Sequence, residues 1–493
     1  MLSLLEFLYN PLTWAQPSVP VALAHEMNSA TRPSPARLIR ALPFLLLLLA
    51  CGEADPADQA DPEVAPAARV HAQDQGNVLL ILVDDMGFDD LGCFGGSSGL
   101  TPNIDSLARD GVTFERAYVT ASICSPSRAG LLSGRYQQRF GHENNTGPLA
   151  RQLELGIGLP PSQPLLSERL RDLGHATALI GKWHLGAADR FHPLERGFDE
   201  FFGHLSGGHT YIDWEDPKNG PIYRGREPVS EGEYLTDALS TEAVEFIGRN
   251  HERPFFLLLS YNALHEPFEA PELYLQRHAG IADRSERVYA AMISALDDGI
   301  GRVLAALDLH GLREDTLVCF LSDNGPRRGK AGEGAGQLRG GKLSLYEGGL
   351  RVPLVVRWPA RISAGGTVAT PVSSLDLVPT CLAAAGRPAL ATDGLDGHSL
   401  LEVARAASEG LPVAARTLFW RQGGKAAVSD GQAKLVRRRD GSFEAYDLDA
   451  DPAEAHSLDG GEQRFMDLKT ALTAWEQELA LPAWDWSGGR SGG

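Results

Sequence analysis

Cysteine is scarce in this sequence of 493 residues. The five present, at positions 51, 93, 124, 319 and 381, include no C-x-x-C pair, which excludes a disulfide scaffold and a thiolate zinc site. Positive charge is also in short supply, since 45 Lys and Arg face 64 Asp and Glu, a formal charge of −19. Binding to nucleic acid rests on a basic surface that neutralises phosphates, so no nucleic-acid partner is expected. The apolar run from Ala41 to Ala50 falls well short of the roughly 20 residues that cross a bilayer. Hydrophobic residues nevertheless make up 43% of the chain and charged residues 22%, an ordinary globular balance that excludes wholesale disorder. Length alone suggests roughly two to four domains, although large α/β enzymes reach this size as one unit.

The beginning of the chain reads as an address. From the internal Met27, the expected start of translation, Arg32, Arg37 and Arg40 form a basic segment, Ala41 to Ala50 is almost wholly apolar, and Cys51 follows. This is the pattern of a secretory signal. A Cys directly after the cleavage point resembles the bacterial lipoprotein signal, which implies lipidation of Cys51 as the only contact with a membrane. The expected location is a bacterial cell envelope, periplasmic or anchored to the outer membrane, with simple secretion as the alternative. Residues 1–50 are therefore signal region, and 51–76, rich in Ala, Asp, Pro and Gln, a flexible tether. Four basic and eight acidic residues fall in 1–76, which leaves −15 on the remainder.

Apolar runs suited to strands buried on both faces occur at Val78 to Val83, Thr177 to Ile180, Phe255 to Leu259 and Leu317 to Leu321. Helical periodicity separates them, at Ile104 to Asp110, Leu165 to Leu173, Tyr234 to Arg249 and Val288 to Leu309. Strands alternating with helices predict an α/β fold with a large, mostly parallel central sheet flanked by helices, and such sheets bind ligands beyond the carboxyl ends of their strands. Each run here delivers polar residues at that edge: Asp84-Asp85, Lys182 and His184, His265, and Asp323-Asn324. The texture changes near residue 391. Four short strands, Thr417 to Arg421, Ala426 to Ser429, Ala433 to Arg437 and Phe443 to Asp447, precede a helix from Arg464 to Leu479. The chain thus divides into a catalytic domain, 77–390, and a smaller C-terminal antiparallel sheet plus helix, 391–493.

Asp84, Asp85, Asp323 and Asn324 are hard oxygen donors, suited to calcium or magnesium and not to zinc. Taken singly, an Asp-Asp or Asp-Asn pair is more often a turn or a helix cap. The sharpest feature is Cys124-Ser125-Pro126-Ser127-Arg128, followed by Leu131-Leu132-Ser133-Gly134-Arg135. Pro126 and Ser127 suit a first helical turn, whose free N–H groups attract an anion, with Arg128 as a fixed cation nearby. A bare thiol so placed is expected to be merely acidic.

The segment resembles the type I sulfatase signature, C-x-P-S-R followed by L-[ST]-G-R. Further blocks resemble the same family in order: Asn77 to Gly92, Thr101 to Asp105, Gly111 to Phe114, Gly181 to Gly186, Asp323 to Gly325, Leu338 to Pro353, and Ala445 to Glu454. The resemblance implies an alkaline-phosphatase-like fold and a sulfuric ester hydrolase in which a maturation enzyme converts Cys124 to formylglycine. It further implies a calcium ion, magnesium being the alternative, held by Asp84, Asp85, Asp323 and Asn324 and touching residue 124. Arg128, Lys182 and Lys342 would complete a cationic cradle for sulfate. On the same resemblance one hydroxyl of the hydrated aldehyde would attack sulfur, helped by Asp323, His265 with Lys342 would protonate the departing alcohol, and His184 would take the proton from the second hydroxyl as sulfate leaves.

His204, His209, Asp213 and Trp214 lie in or after a Gly-rich loop and are candidate contacts to the sugar, although a Trp is more often core. Asn144-Asn145-Thr146 fits a glycosylation sequon and is read as chance. The expected substrate is a sulfated mono- or oligosaccharide, with aryl sulfates as in vitro substrates. The acidic body disfavours field-driven capture of long polysulfated chains, and so favours short or terminal sulfated sugars. Two other readings remain open: a phosphoester or phosphonate monoester hydrolase of the same superfamily, and a sulfated-glycan-binding lipoprotein whose Cys124 is never converted.

Overall fold

The structure is a computed structural model, and it describes residues 75–485 except 97–98, 328–337, 410, 412 and 415. The signal region, Cys51 and nearly all of the tether lie outside the described residues. Ahead of the first strand, Gln75 Nε2 donates to the Leu173 carbonyl at 3.1 Å and the Gly76 amide to the Ala384 carbonyl. No helix among the described residues is long and apolar enough to cross a membrane.

The four apolar runs become adjacent parallel strands. Asn77–Val83 lies between Thr316–Ser322 and Phe255–Ser260, and the latter also pairs with Ala176–Lys182. All four are buried along their whole length, as continuous rather than alternating apolar sequence requires. Glu200–His204 adds a fifth parallel strand beyond Ala176–Lys182. Antiparallel strands then close both flanks, with Leu354–Arg357 beside Thr316–Ser322 and Gly220–Arg224 beside Glu200–His204. Among the described residues the sheet has 11 strands. Helices cover both faces: Pro102–Arg109, Leu235–Asn250 and Arg284–Leu309 contribute to one core, and Cys124–Ser133, Leu166–Asp172 and Leu377–Ala384 to the other. The strands pack closely at Gly181, where φ is 114° and a Cβ would stand 1.8 Å from the Ser260 carbonyl oxygen, so only glycine fits.

The C-terminal strands Leu418–Gln422, Lys425–Ser429, Ala433–Arg437 and Phe443–Asp447 form an antiparallel meander. Gly423 and Gly424, with φ of 56° and 84°, make the two-residue turn that joins the first pair. The helix Gln463–Gln477 packs Phe465, Leu468, Leu472 and Trp475 against one face of this sheet. The other face meets Tyr118, Leu345 and Leu350 of the large domain. The division expected at residue 391 falls too early, because Leu400 and Ala404 of the helix Leu400–Ser408 belong to the core of the large sheet. A loop rich in Gly and Pro precedes that helix and mimics a domain boundary, while the small sheet itself starts at Leu418.

Candidate active site

Five parallel strands end at one edge, and the residues that terminate four of them converge there. The register Val83↔Ser322 sets Asp84 beside Asp323, and Asn324 Nδ2 donates to Asp85 Oδ1 at 2.6 Å. Asp85 adopts the left-handed φ of 57° that Asp tolerates better than most residues. Lys182 ends its own strand and pairs Nζ with Asp84 Oδ2, both wholly buried. Ser260 ends a fourth strand and accepts a 2.6 Å hydrogen bond from the Arg128 guanidinium.

The helix Cys124–Ser133 is buried throughout and opens at Cys124 itself. Arg128, one turn later, donates Nε to Asp323 Oδ2 at 2.7 Å and a terminal nitrogen to the Lys182 carbonyl at 3.1 Å. Lys342 Nζ lies 2.7 and 2.8 Å from the two Asp85 oxygens and 3.0 Å from Cys124 Sγ. Three carboxylates thus face three fixed cations, and their formal charges cancel.

These groups fit a divalent cation. One ligand atom each from Asp84, Asp85, Cys124 and Asp323 falls within 4.8 Å of the others. Asn324 Oδ1 is buried beside them with no hydrogen-bond partner among the described residues, an acceptor left for a cation to satisfy. The donors are predominantly hard oxygens, the set that suits calcium or magnesium. With the carboxylates and ammonium groups already balanced, a bound dication leaves the cradle positive and receptive to an anion.

Burial and the neighbouring Asp323 push the Asp84 carboxyl up to about 7. Burial acts in the same sense on Asp85, but Lys342 and then His265 hold that carboxyl well below the usual range. The Cys124 thiol is pushed up to about 12 by burial and by Asp84, against the pull of Lys182 and Lys342. The expectation of an acidic thiol is therefore corrected. Desolvation and a carboxylate outweigh the helix N-terminus, and the unmodified thiol is a poor nucleophile at neutral pH.

His184 and His265 stand on the outer side of this cluster. His184 has a φ of 60°, a strain of roughly 1–3 kcal/mol that surrounding contacts must offset. Burial, then Lys182 and Arg128, hold its ring neutral. His265 donates Nδ1–H to the Glu266 carbonyl at 2.7 Å and turns Nε2 toward Asp85, 4.0 Å away. Burial and Lys342 lower its affinity for a second proton. A Cβ on Gly207 would stand 2.6 Å from the His184 ring, and one on Gly208 would stand 2.9 Å from that of His265. The two glycines are thus the floor on which both imidazoles rest.

A cavity of about 520 Å³ opens onto Cys124, His184 and His265. Its outer wall carries Asn145, Asp216, Lys218, Asn219 and Glu266, none of them anticipated. Asp216 organises its turn by accepting from the amides of Lys218 and Asn219 at 2.9 and 3.1 Å. Glu266 is ion-paired with Arg327.

Of the four expected sugar contacts, none lines this cavity. Trp214 is buried against Phe202 and donates Nε1–H to the Glu233 carbonyl at 3.1 Å. Asp213 is exposed and accepts from the Glu215 amide at 3.0 Å. The ring nitrogens of His209 lie 2.8 and 2.9 Å from the carbonyls of Thr210 and Gly220. His204 is completely buried. The reason is physical: the loop needs an aromatic to cover the sheet edge, so Trp214 turns inward and the polar turn after it faces the cavity. That turn, Asp216 to Asn219, carries an Asp-Pro-Lys-Asn signal legible in the sequence. In the sequon, Asn144 is buried and donates Nδ2–H to the Trp484 carbonyl at 2.7 Å, while Asn145 Oδ1 accepts from the Ser125 amide at 3.1 Å.

Comparison with known proteins gives a consistent result. The sulfatase family model matches residues 76–387, and the C-terminal model of N-sulphoglucosamine sulphohydrolase matches residues 341–479. Mouse steryl-sulfatase is 34% identical, over 74% of this chain and 70% of its own. Human N-acetylgalactosamine-6-sulfatase is 38% identical, over 66% of this chain and 65% of its own, so the chain spans about two thirds of that relative. Among solved structures, Ps i-CgsB in complex with k-i-k-neocarrahexaose superposes with a TM-score of 0.77 at 33% identity, covering 83% of this chain and 94% of that one. The geometry at the strand ends and these likenesses lead to one conclusion: the chain belongs to the sulfatase family.

Proposed function

We propose that this chain removes sulfate from a sulfated carbohydrate, with residue 124 as nucleophile after conversion to formylglycine. The observation that carries the substrate class is the cavity wall. Asn145, Asp216, Lys218, Asn219 and Glu266 offer hydrogen-bonding groups suited to sugar hydroxyls, and among the described residues the wall includes no Phe, Tyr or Trp against which a sterol would lie. The likeness to a structure bound to a neocarrahexaose supports the same class.

Formylglycine would supply the nucleophilic oxygen, and a divalent cation held by Asp84, Asp85, Asp323 and Asn324 would supply charge neutralisation. Around them Arg128, Lys182 and Lys342 fix sulfate oxygens and oppose the charge that grows in the transition state. His265 holds a proton on Nδ1 and offers Nε2 toward the leaving oxygen. A bound sulfate ester beside it opposes the effect of Lys342 and favours the imidazolium that can donate. His184, kept neutral by burial, is ready to accept a proton on the side of residue 124. Calcium is the cation we favour, and maturation by a formylglycine-generating enzyme is required.

Three substrates at equal concentration test the reading: a sulfated oligosaccharide, a steryl sulfate and a phosphate monoester. The sulfated sugar should turn over fastest by at least about tenfold, and preference for either of the others overturns the assignment. We also propose that Cys51 anchors the protein to a bacterial envelope by lipidation. Cys51→Ser should then move it from the membrane fraction to the soluble one, and an unchanged distribution contradicts the anchor.

A further inference from the structure

Ser125 and His142 are both fully buried beside the nucleophile position, and the hydrolysis described above uses neither. Ser125 Oγ lies 2.7 Å from His142 Nε2 and 2.7 Å from the carbonyl oxygen of His184. A hydroxyl has one proton and a carbonyl can only accept, so Ser125 donates to His184 and His142 must donate Nε2–H to Ser125. Burial pushes the His142 imidazole down to about 3, so the ring is neutral, with its lone pair on Nδ1, which has no partner among the described residues. Trp484 packs edge-on against that ring, 4.7 Å between centroids. The direction of the relay is thereby fixed: His142 to Ser125 to His184.

Its end point is the residue whose backbone needs holding. His184 sits at a φ of 60°, and its own amide makes only a 3.2 Å bond, to the Leu205 carbonyl. We propose that Ser125 and His142 are positioning residues, which pin the His184 carbonyl to the first turn of the helix that carries residue 124. They thereby set the distance between the His184 imidazole and the nucleophile. This inference rests on the reading that His184 takes a proton during turnover. Ser125 occupies the open second position of C-x-P-S-R, so its substitution leaves the maturation motif intact.

The test is steady-state hydrolysis of 4-nitrophenyl sulfate by full-length protein, with formylglycine occupancy at position 124 measured by mass spectrometry in every variant. Ser125→Ala should lower kcat about ten- to a hundredfold at unchanged occupancy, with KM within about twofold, as expected for a misplaced reacting group. Ser125→Thr, which keeps the hydroxyl, should recover most of that loss. His142→Phe should resemble Ser125→Ala and add nothing to it in the double variant, whereas His142→Gln, which keeps an N–H donor, should be milder. If the Phe variant does not fold, the Ser125 pair decides alone, because alanine there removes a single oxygen. A fully converted Ser125→Ala protein with kcat within about twofold of the parent overturns the inference, and so does a Thr variant no better than Ala. Parent protein that carries formylglycine yet releases sulfate from neither the aryl ester nor any sulfated sugar overturns the functional reading and this inference with it.

Discussion

Asn324 gives the proposed cation site its clearest residue-level signature, because its amide nitrogen is engaged by Asp85 while its oxygen is buried without a partner among the described residues. Asn324→Ala should weaken calcium binding about ten- to a hundredfold, read by calorimetry. The parent should lose thermal stability in excess chelator and regain it with calcium, since a ligand that binds only the folded state stabilises it. At Gly207 a methyl group would meet the His184 ring at 2.6 Å. Gly207→Ala should therefore lower kcat at least about tenfold while the melting temperature changes little, and equal activity would show that the ring has room to move. The residues proposed to hold the metal and sulfate, which the structure gathers at the strand ends, were legible in the sequence because each is the polar residue next after a buried apolar run, or lies in a family block. Ser260 obeys the same strand-end rule and could have been found by it. His142 could not, since a lone histidine carries no signal until the fold places it beside Ser125.

Elements were legible where their sequence pattern is continuous. The strand expected at Val78 to Val83 is Asn77–Val83, and that expected at Phe443 to Asp447 has those bounds. Short flanking strands such as Val112–Phe114 and Leu354–Arg357 were not anticipated, because three or four residues cannot distinguish a strand from a loop. The sheet makes its own stringent demand at Gly181, where φ is 114° and a Cβ would lie 1.8 Å from a backbone oxygen. Gly181→Ala should cost about 3 kcal/mol or more and prevent accumulation of folded protein. Gly225, with φ of 62° and open space around it, provides the comparison, where alanine should cost about 1 kcal/mol. Equal effects in chemical denaturation would show that the close approach of the strands is not what selects glycine at 181.

On the scale of the molecule, the two domains meet across a buried ionic cluster. Lys434 Nζ lies 2.8 Å from Glu347 and 2.9 Å from Glu454, and Tyr118 donates to Glu347 at 2.9 Å. Burial pushes the Glu454 carboxyl up to about 7 from an ordinary 4.5. Between those values the folded protein holds a proton that the unfolded chain has released, so this group's contribution to stability is full below about 4.5 and declines as pH rises through about 7. Glu454→Gln, which mimics the protonated acid, should flatten the fall of stability across that interval by roughly 3 kcal/mol at most. An identical slope in parent and variant would assign the titration elsewhere. The domain division was misread in the sequence for a different reason: the loop before Leu400–Ser408 has the texture of a linker, yet that helix packs Leu400 and Ala404 into the core of the large sheet.

The formal charge of −19, awkward for an enzyme of anionic substrates, is reconciled locally. Carboxylates at the strand ends are balanced by Arg128, Lys182 and Lys342, so attraction for sulfate is confined to the cradle. The most direct test of this account joins chemistry to turnover: sulfate released from a sulfated oligosaccharide, measured across preparations that differ in the fraction of residue 124 carried as formylglycine. The rate should rise in proportion to that fraction and vanish in Cys124→Ala. Sulfate release that persists in Cys124→Ala, or that is absent from fully converted protein with every sulfated sugar offered, would contradict it.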